Sequence, residues 1–358
     1  MHNPEVVQSL FLIGFIILIF ILLVLDLGFF EKQDKVVSLK NALFKTVIWM
    51  SLAATFGIVL RFSGEKMHGI ENKQTLVETV DKYHGKSLAS KVAKLDYDKA
   101  VNTYNKQTSL EYFTGYLIEY SLSLDNIFVM ILIFSSMGIP PEYYKRVLMW
   151  GIIGAVLMRF VFIFVAGALV AKYEWILGLF GIFIIYSSVK MYKNRNKKEE
   201  INPKNNPVVK FFSKIFPVTN EIKNHSFIRK INHHYVITPL LLCLIVIEFT
   251  DILFAVDSIP AIFSVTKDPY IVFFSNIFAI LGLRSLFFLV SGIIGMFRFL
   301  KPGLSILLMF IGIKMILECS PLNIDIPISV SLIVILGILS ISILLSIFIP
   351  EKKLFDNQ

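Results

Sequence analysis

Apolar residues fill the chain in long blocks separated by short polar breaks. Nine blocks approach the twenty residues that a helix needs to cross a bilayer. They cover about 9–30, 44–62, 112–136, 147–170, 173–192, 238–265, 270–290, 299–317 and 327–349. The eighth is the weakest, because Arg298, Lys301 and Pro302 crowd its start. The first has no basic stretch ahead of it and an apolar core too long for a secretion signal, so it is expected to stay as a helix. The pattern predicts an all-α polytopic membrane bundle. Composition agrees, with 56% hydrophobic and 17% charged residues among 358, far from the balance of a water-soluble domain.

The basic residues alternate from loop to loop. Segment 31–46 holds four, 137–146 two, 193–237 ten and 291–303 two, and Lys352 and Lys353 lie in the tail. The short loops on the other side hold only Lys172 and Lys267. This asymmetry predicts the N-terminus outside and the C-terminus in the cytoplasm. Segment 61–111 carries nine basic and seven acidic residues, and a long, nearly balanced loop of this kind translocates with little regard to charge. Short amphipathic helices are expected over 64–110, with no chemistry. The net charge of +9 is thereby accounted for by topology, without a nucleic-acid partner.

Against this background, Glu248-Phe-Thr-Asp251-Ile-Leu-Phe-Ala-Val-Asp257-Ser258-Ile-Pro260 places three acids inside an apolar run. Each charge at membrane depth costs roughly 2.5–3.5 kcal/mol on insertion scales, so a merely structural helix has no use for three. A second stretch, Glu119-Tyr-Ser-Leu-Ser-Leu-Asp125-Asn126, repeats the six-residue separation of Asp251 and Asp257. Each stretch is followed by a helix with one arginine, Arg159 or Arg284, and then by one with a lysine, Lys190 or Lys314. Asn276, in Asn276-Ile-Phe-Ala-Ile-Leu-Gly-Leu-Arg284, stands where the first unit has Gly151.

The chain therefore divides into two N-terminal helices (1–62), an extracytoplasmic loop (63–111), a three-helix unit (112–192), a basic connector (193–237), a second three-helix unit (238–318) and a last helix with a tail (319–358). Three spans per unit make the second enter from the opposite side. Such inverted repeats are a construction principle of secondary transporters, whose sites lie near midplane.

Glu248 and Asp251 share a helix face, whereas six residues turn a helix by about 120° net, which puts Asp257 elsewhere unless the helix breaks. Pro260 gives a reason for a break, and freed carbonyls at such breaks coordinate cations. Glu119, Asp125, Asn126, Glu248, Asp251, Asp257 and Ser258 make an all-oxygen set, which favours Mg²⁺, Ca²⁺ or Mn²⁺ over thiophilic metals. Arg159, Arg284, Lys190 and Lys314 are candidates to pair with these acids, although the lysines can instead snorkel to a headgroup boundary. Asp26, in Leu-Asp-Leu-Gly, is either an interfacial carboxylate or a gating residue.

All six histidines fall outside the spans, and Cys243 and Cys319 have no metal or redox spacing. His233-His234 reads more simply as a solvated loop than as a metal pair. Glycines at 151, 154, 178 and 181 are expected to let helices approach.

At these acidic and arginine motifs the chain resembles the TerC family of bacterial integral membrane proteins, most closely its Alx-like branch, from Asp26-Leu-Gly through the ninth helix. The resemblance implies kinship with the LysE-type exporter superfamily, a bacterial inner-membrane location and metal homeostasis, chiefly export of Mn²⁺. Under that reading the partners are the bilayer, the transported divalent cation and, as candidate coupling ions, protons, with no resident cofactor and no enzymatic step. The resemblance also implies alternatives, a membrane-bound redox modulator or a tellurium-resistance role. Two intramembrane aspartates would also fit an aspartyl-type enzyme. No Gly-x-Gly-Asp run surrounds Asp125 or Asp257, and the extra acids and bases favour ion handling.

Overall fold

A computed structural model describes residues 4–26, 38–173, 175–194, 216–219, 226–231, 234–293, 299–319 and 326–349, with residues 209 and 214. The side chains of Asp26, Asp125, Asp257 and Cys319, and residues 232–233 with the side chain of His234, lie outside the described set.

The protein is an all-helical membrane bundle, joined by a short hairpin. Its helices are α1 (Pro4–Asp26), α2 (Leu39–Ser63), α3 (Lys73–His84), α4 (Lys86–Ala93), α5 (Tyr97–Ser136), α6 (Tyr144–Lys172), α7 (Trp175–Asn194), α8 (Pro239–Phe263), α9 (Pro269–Ile293), α10 (Leu300–Cys319) and α11 (Ile328–Phe348). Strands β1 (Ile228–Ile231) and β2 (His234–Ile237) pair antiparallel just before α8. Among the described residues, eight helices are long and apolar enough to cross a membrane, α1, α2, α5 to α9 and α11. The apolar part of α10, Pro302–Leu317, is shorter. This is the block whose start is crowded by charge and proline.

No break separates the external segment from the third span, since α5 runs 40 residues without interruption. At 1.5 Å per residue this is about 60 Å, twice the hydrocarbon thickness, so the helix must emerge from the bilayer. It stops at Gly138, whose φ of 62° suits glycine, with Ile139 N–H bonded to Phe134 O at 3.0 Å. The break expected at Pro260 is also absent, because α8 continues through it to Phe263. Pro260 sits in the last turn and is buried with Ile259, Ala261 and Ile262, so packing holds the turn despite one lost backbone bond.

Residues 64–93 form a small helical cap. Asn72 caps α3 by accepting from Thr75 N–H at 2.9 Å, and Gly85, at φ 85°, turns the chain into α4. Ile70, Leu76, Val80, Ala89 and Val92 pack on Ala100 and Tyr104 of α5.

Helix α9 is central, with nearly its whole span buried, while α1 and α11 turn large apolar side chains outward. Within the bundle α5 packs on α9, α6 on α8, and α7 most extensively on α10. The start of α5 and the turn after α8 both meet the cap, through Glu111 with His84 and Asp268 with His68. At the opposite end, Phe134 near the end of α5 stacks on Tyr144 at the start of α6. Helices α5 and α8 therefore run in opposite senses.

Candidate functional site

The polar centre of the bundle is organised by Arg159, whose side chain has no solvent exposure. It projects from α6 to where α5, α8 and α9 converge. Its guanidinium donates to Glu119 Oε1 of α5 and to Asn276 Oδ1 of α9. Its other terminal nitrogen lies 3.4 Å from Asp251 Oδ1 of α8. The first two helices of each three-helix unit thus meet at one side chain. Four of the residues singled out as candidates, Glu119, Asp251, Arg159 and Asn276 (the last two expected in charge pairing or gating), are brought together here.

Several buried polar atoms around this centre find no protein partner: Glu119 Oε2, Arg159 Nε, Asn276 Nδ2 and Glu248 Oε1. Buried polar atoms are nearly always hydrogen-bonded, so such a concentration marks a place for water or an ion. Asn126 and Ser258 are buried as well. Among the described residues, no three His, Cys, Asp or Glu side chains are grouped to hold a metal.

A cavity of about 20 Å³ opens beside Asp251, walled by Met130, Gly151, Glu248, Ile280 and Arg284, with room for one water or one ion. It lies toward the connector side of Arg159, for its walls come from the end of α5, the start of α6, the start of α8 and the end of α9. Arg284 is buried there.

The glycines of α6 beside Glu248 carry a role that sequence reasoning assigned only to packing. A Cβ on Gly154 would overlap the carboxyl group of Glu248, whereas one on Gly151 would sit an ordinary 3.6 Å from Glu248 Oε1. The signal was present: Gly151 and Gly154 are three residues apart on one face, as are Glu248 and Asp251.

The two lysines occupy different places. Lys314 is buried and donates to the Ser264 carbonyl at 2.8 Å, which caps the C-terminal end of α8 with a cation. Lys190 is exposed on α7. Asp125, Asp257 and Asp26 contribute backbone to their helices, with side chains outside the described set.

Residues 104–354 match the integral membrane protein TerC family. A membrane protein of Myxococcus xanthus, described as uncharacterized, is 40% identical over 93% of this chain and 91% of its own length. A Photorhabdus laumondii protein with the provisional description of membrane-bound redox modulator Alx is 36% identical over 96% of this chain and 97% of its own. Its Escherichia coli K12 namesake is 42% identical over 70% and 76%. No solved structure matches the chain. With the acidic and arginine motifs on α5, α6, α8 and α9 inside the matched stretch, the chain belongs to the TerC family of integral membrane proteins.

Proposed function

We propose that the protein carries a hard divalent cation, Mn²⁺ foremost, out of the cytoplasm in exchange for protons. The observation that carries this reading is the buried bridge from Arg159 to Glu119, Asp251 and Asn276 beside a cavity sized for one ion. A guanidinium there acts as a tethered cation that fills the acidic centre until a transported one displaces it. Five acids in the membrane-depth motifs of α5 and α8 (Glu119, Asp125, Glu248, Asp251, Asp257) and the three buried bases (Arg159, Arg284, Lys314) sum to a formal charge of −2, from −5 and +3. One divalent cation would neutralise that charge. The donors are all oxygen, which suits Mn²⁺, Ca²⁺ and Mg²⁺. Carboxylates crowded at low dielectric gain proton affinity when the metal leaves, which gives exchange a physical basis.

The opposed directions of α5 and α8 support an inverted repeat. The basic connector argues for cap and N-terminus outside and connector and C-terminus inside a bacterial inner membrane.

Purified protein in liposomes, with an Mn²⁺ reporter and a pH dye, tests both parts. The expected result is Mn²⁺ flux with opposite proton movement, lost in Asp125→Asn, Asp251→Asn and Asp257→Asn at normal insertion. Flux that survives all three substitutions refutes the site. Flux indifferent to an imposed pH gradient refutes the exchange.

The description of relatives as redox modulators supports a second reading, in redox balance. Cys243 is a buried free thiol on α8. Replacing both cysteines by serine separates the readings, since ion flux should survive it and thiol-based redox activity should not.

A further inference from the structure

Two buried histidine–carboxylate pairs join the cap to the bundle, and neither belongs to the acidic centre around Arg159. His84 Nδ1 lies 2.7 Å from Glu111 Oε1 of α5, and His68 Nε2 lies 2.7 Å from Asp268 Oδ2 in the turn between α8 and α9. All four side chains are at most 3% exposed. Both histidines precede the stretch that matches the family, and both carboxylates lie within it. The pairs are built in from every side. Gln107 donates to Glu111 Oε1 at 3.0 Å, Gln8 of α1 meets His68 Nδ1 at 2.9 Å, and Tyr270 N–H donates to Asp268 Oδ1 at 2.9 Å. The other titratable groups facing them are Tyr83, stacked on His68, Tyr270, edge-on to it, and Tyr104, edge-on to His84. Lys267, beside Asp268 in the chain, is exposed. Two atoms of the cluster, His84 Nε2 and Glu111 Oε2, are buried without a hydrogen-bond partner.

We propose that His84 and Glu111, backed by His68 and Asp268, form a proton-binding site that holds the cap against the bundle, and that loss of the proton loosens the cap. With His84 charged, Glu111 is a compensated buried anion. Loss of the His84 proton removes the counter-ion of the buried Glu111 carboxylate, and a buried uncompensated charge strongly disfavours the closed arrangement. The geometry binds the proton tightly. Burial opposes a charged imidazole at His84, but Glu111 and the field of Asp268 outweigh it and hold the pKa above its ordinary 6.5. Burial likewise opposes ionised Asp268, yet His68, the Tyr270 N–H and His84 outweigh it and hold that carboxyl below 3.8.

The sign follows. A raised histidine stabilises the closed cap fully below pH 6.5, and that contribution is lost as pH rises through the raised value. The lowered aspartate keeps its contribution above pH 3.8 and loses it only as pH falls through the lowered value, so the two windows do not overlap.

Amide hydrogen exchange of the full chain in lipid nanodiscs tests the site without any metal, so its outcome stands apart from that of the transport reading. Protection of residues 73–93, corrected for the chemical exchange rate, should fall by up to about tenfold per pH unit above about 6.5 and then level off. His84→Gln should remove this pH dependence. Glu111→Gln keeps the shape of the pair but not its charge, and should end the decline at lower pH. It also covers the case in which His84→Gln leaves the cap open throughout. A flat wild-type profile, or Glu111→Gln following the wild type, would overturn the proposal.

Discussion

A guanidinium without exposure inside a membrane bundle is tolerable only because oxygens from three other helices converge on it. Removing Arg159 would leave Glu119 and Asp251 as buried anions facing each other. Arg159→Met should therefore destabilise the protein by about 3–5 kcal/mol, read as a lower unfolding temperature in detergent, and adding Glu119→Gln should restore part of it. Gly154 makes a finer prediction. Its Cβ would strike the far end of a flexible side chain, so Gly154→Ala should cost about 1 kcal/mol or less in stability while swinging Glu248 out of the cavity. Mn²⁺ affinity should fall about tenfold, or about 1.4 kcal/mol. Gly151→Ala should leave it unchanged, and Glu248→Asp, one methylene shorter, should recover part of the loss. Equal affinity in the two alanine variants would remove Gly154 from the site. At this scale the sequence exposed what its apolar context made costly, the acids on α5 and α8 and the arginines. Gly154 stayed hidden because the meaning of a glycine depends on what lies opposite. His68 stayed hidden because its carboxylate is 200 residues away in the chain.

Helix identity was legible because hydrophobic length alone decides it, whereas helix ends depended on packing. The polar first third of α5 has no membrane signature, and it becomes helical where Ala100 and Tyr104 receive the apolar face of the cap. Proline at 260 had argued for a break by local rules, but tertiary burial overrode them. Helices α7 and α10 meet through two close contacts. Gly181 lies against the carbonyl of Gly312, at 3.0 Å from a Cβ built on Gly181, and Ser188 donates to the Ser305 carbonyl at 2.7 Å. From one contact to the other the residue number rises by seven along α7 and falls by seven along α10, so the helices run antiparallel. Since a Cβ at Gly181 meets backbone, which cannot yield, Gly181→Val should cost about 1–3 kcal/mol by overpacking. Ser188→Ala should cost only about 0.6 kcal/mol, typical of a hydrogen bond between membrane helices. Thermal unfolding that ranks them the other way would argue against this register.

Across the whole molecule, α8 links two unlike ends. Its start follows the β1–β2 hairpin, where Thr238 bonds to Phe227 O and Arg146 of α6 covers the Phe227 ring. Its end leads to Asp268 beneath the cap. A helix of 25 residues separates these ends by about 37 Å, so hairpin and cap lie on opposite faces of a bilayer about 30 Å thick. The N-terminal helix starts on the cap face, because Gln8 reaches His68. Which face is cytoplasmic is then a question of charge. Segment 193–237 carries ten basic residues against three acidic ones, while the cap region is nearly balanced, so the hairpin face is expected inside. Single cysteines on a background lacking Cys243 and Cys319 test this, at Ser87 in the cap and at Tyr235 in the hairpin, both exposed. An impermeant maleimide applied to intact cells should label Ser87→Cys and spare Tyr235→Cys until the membrane is opened. Labelling of both from outside would break the opposed arrangement of the two units. Labelling of Tyr235→Cys alone would keep that arrangement and reverse its direction, and with it the direction proposed for the cation.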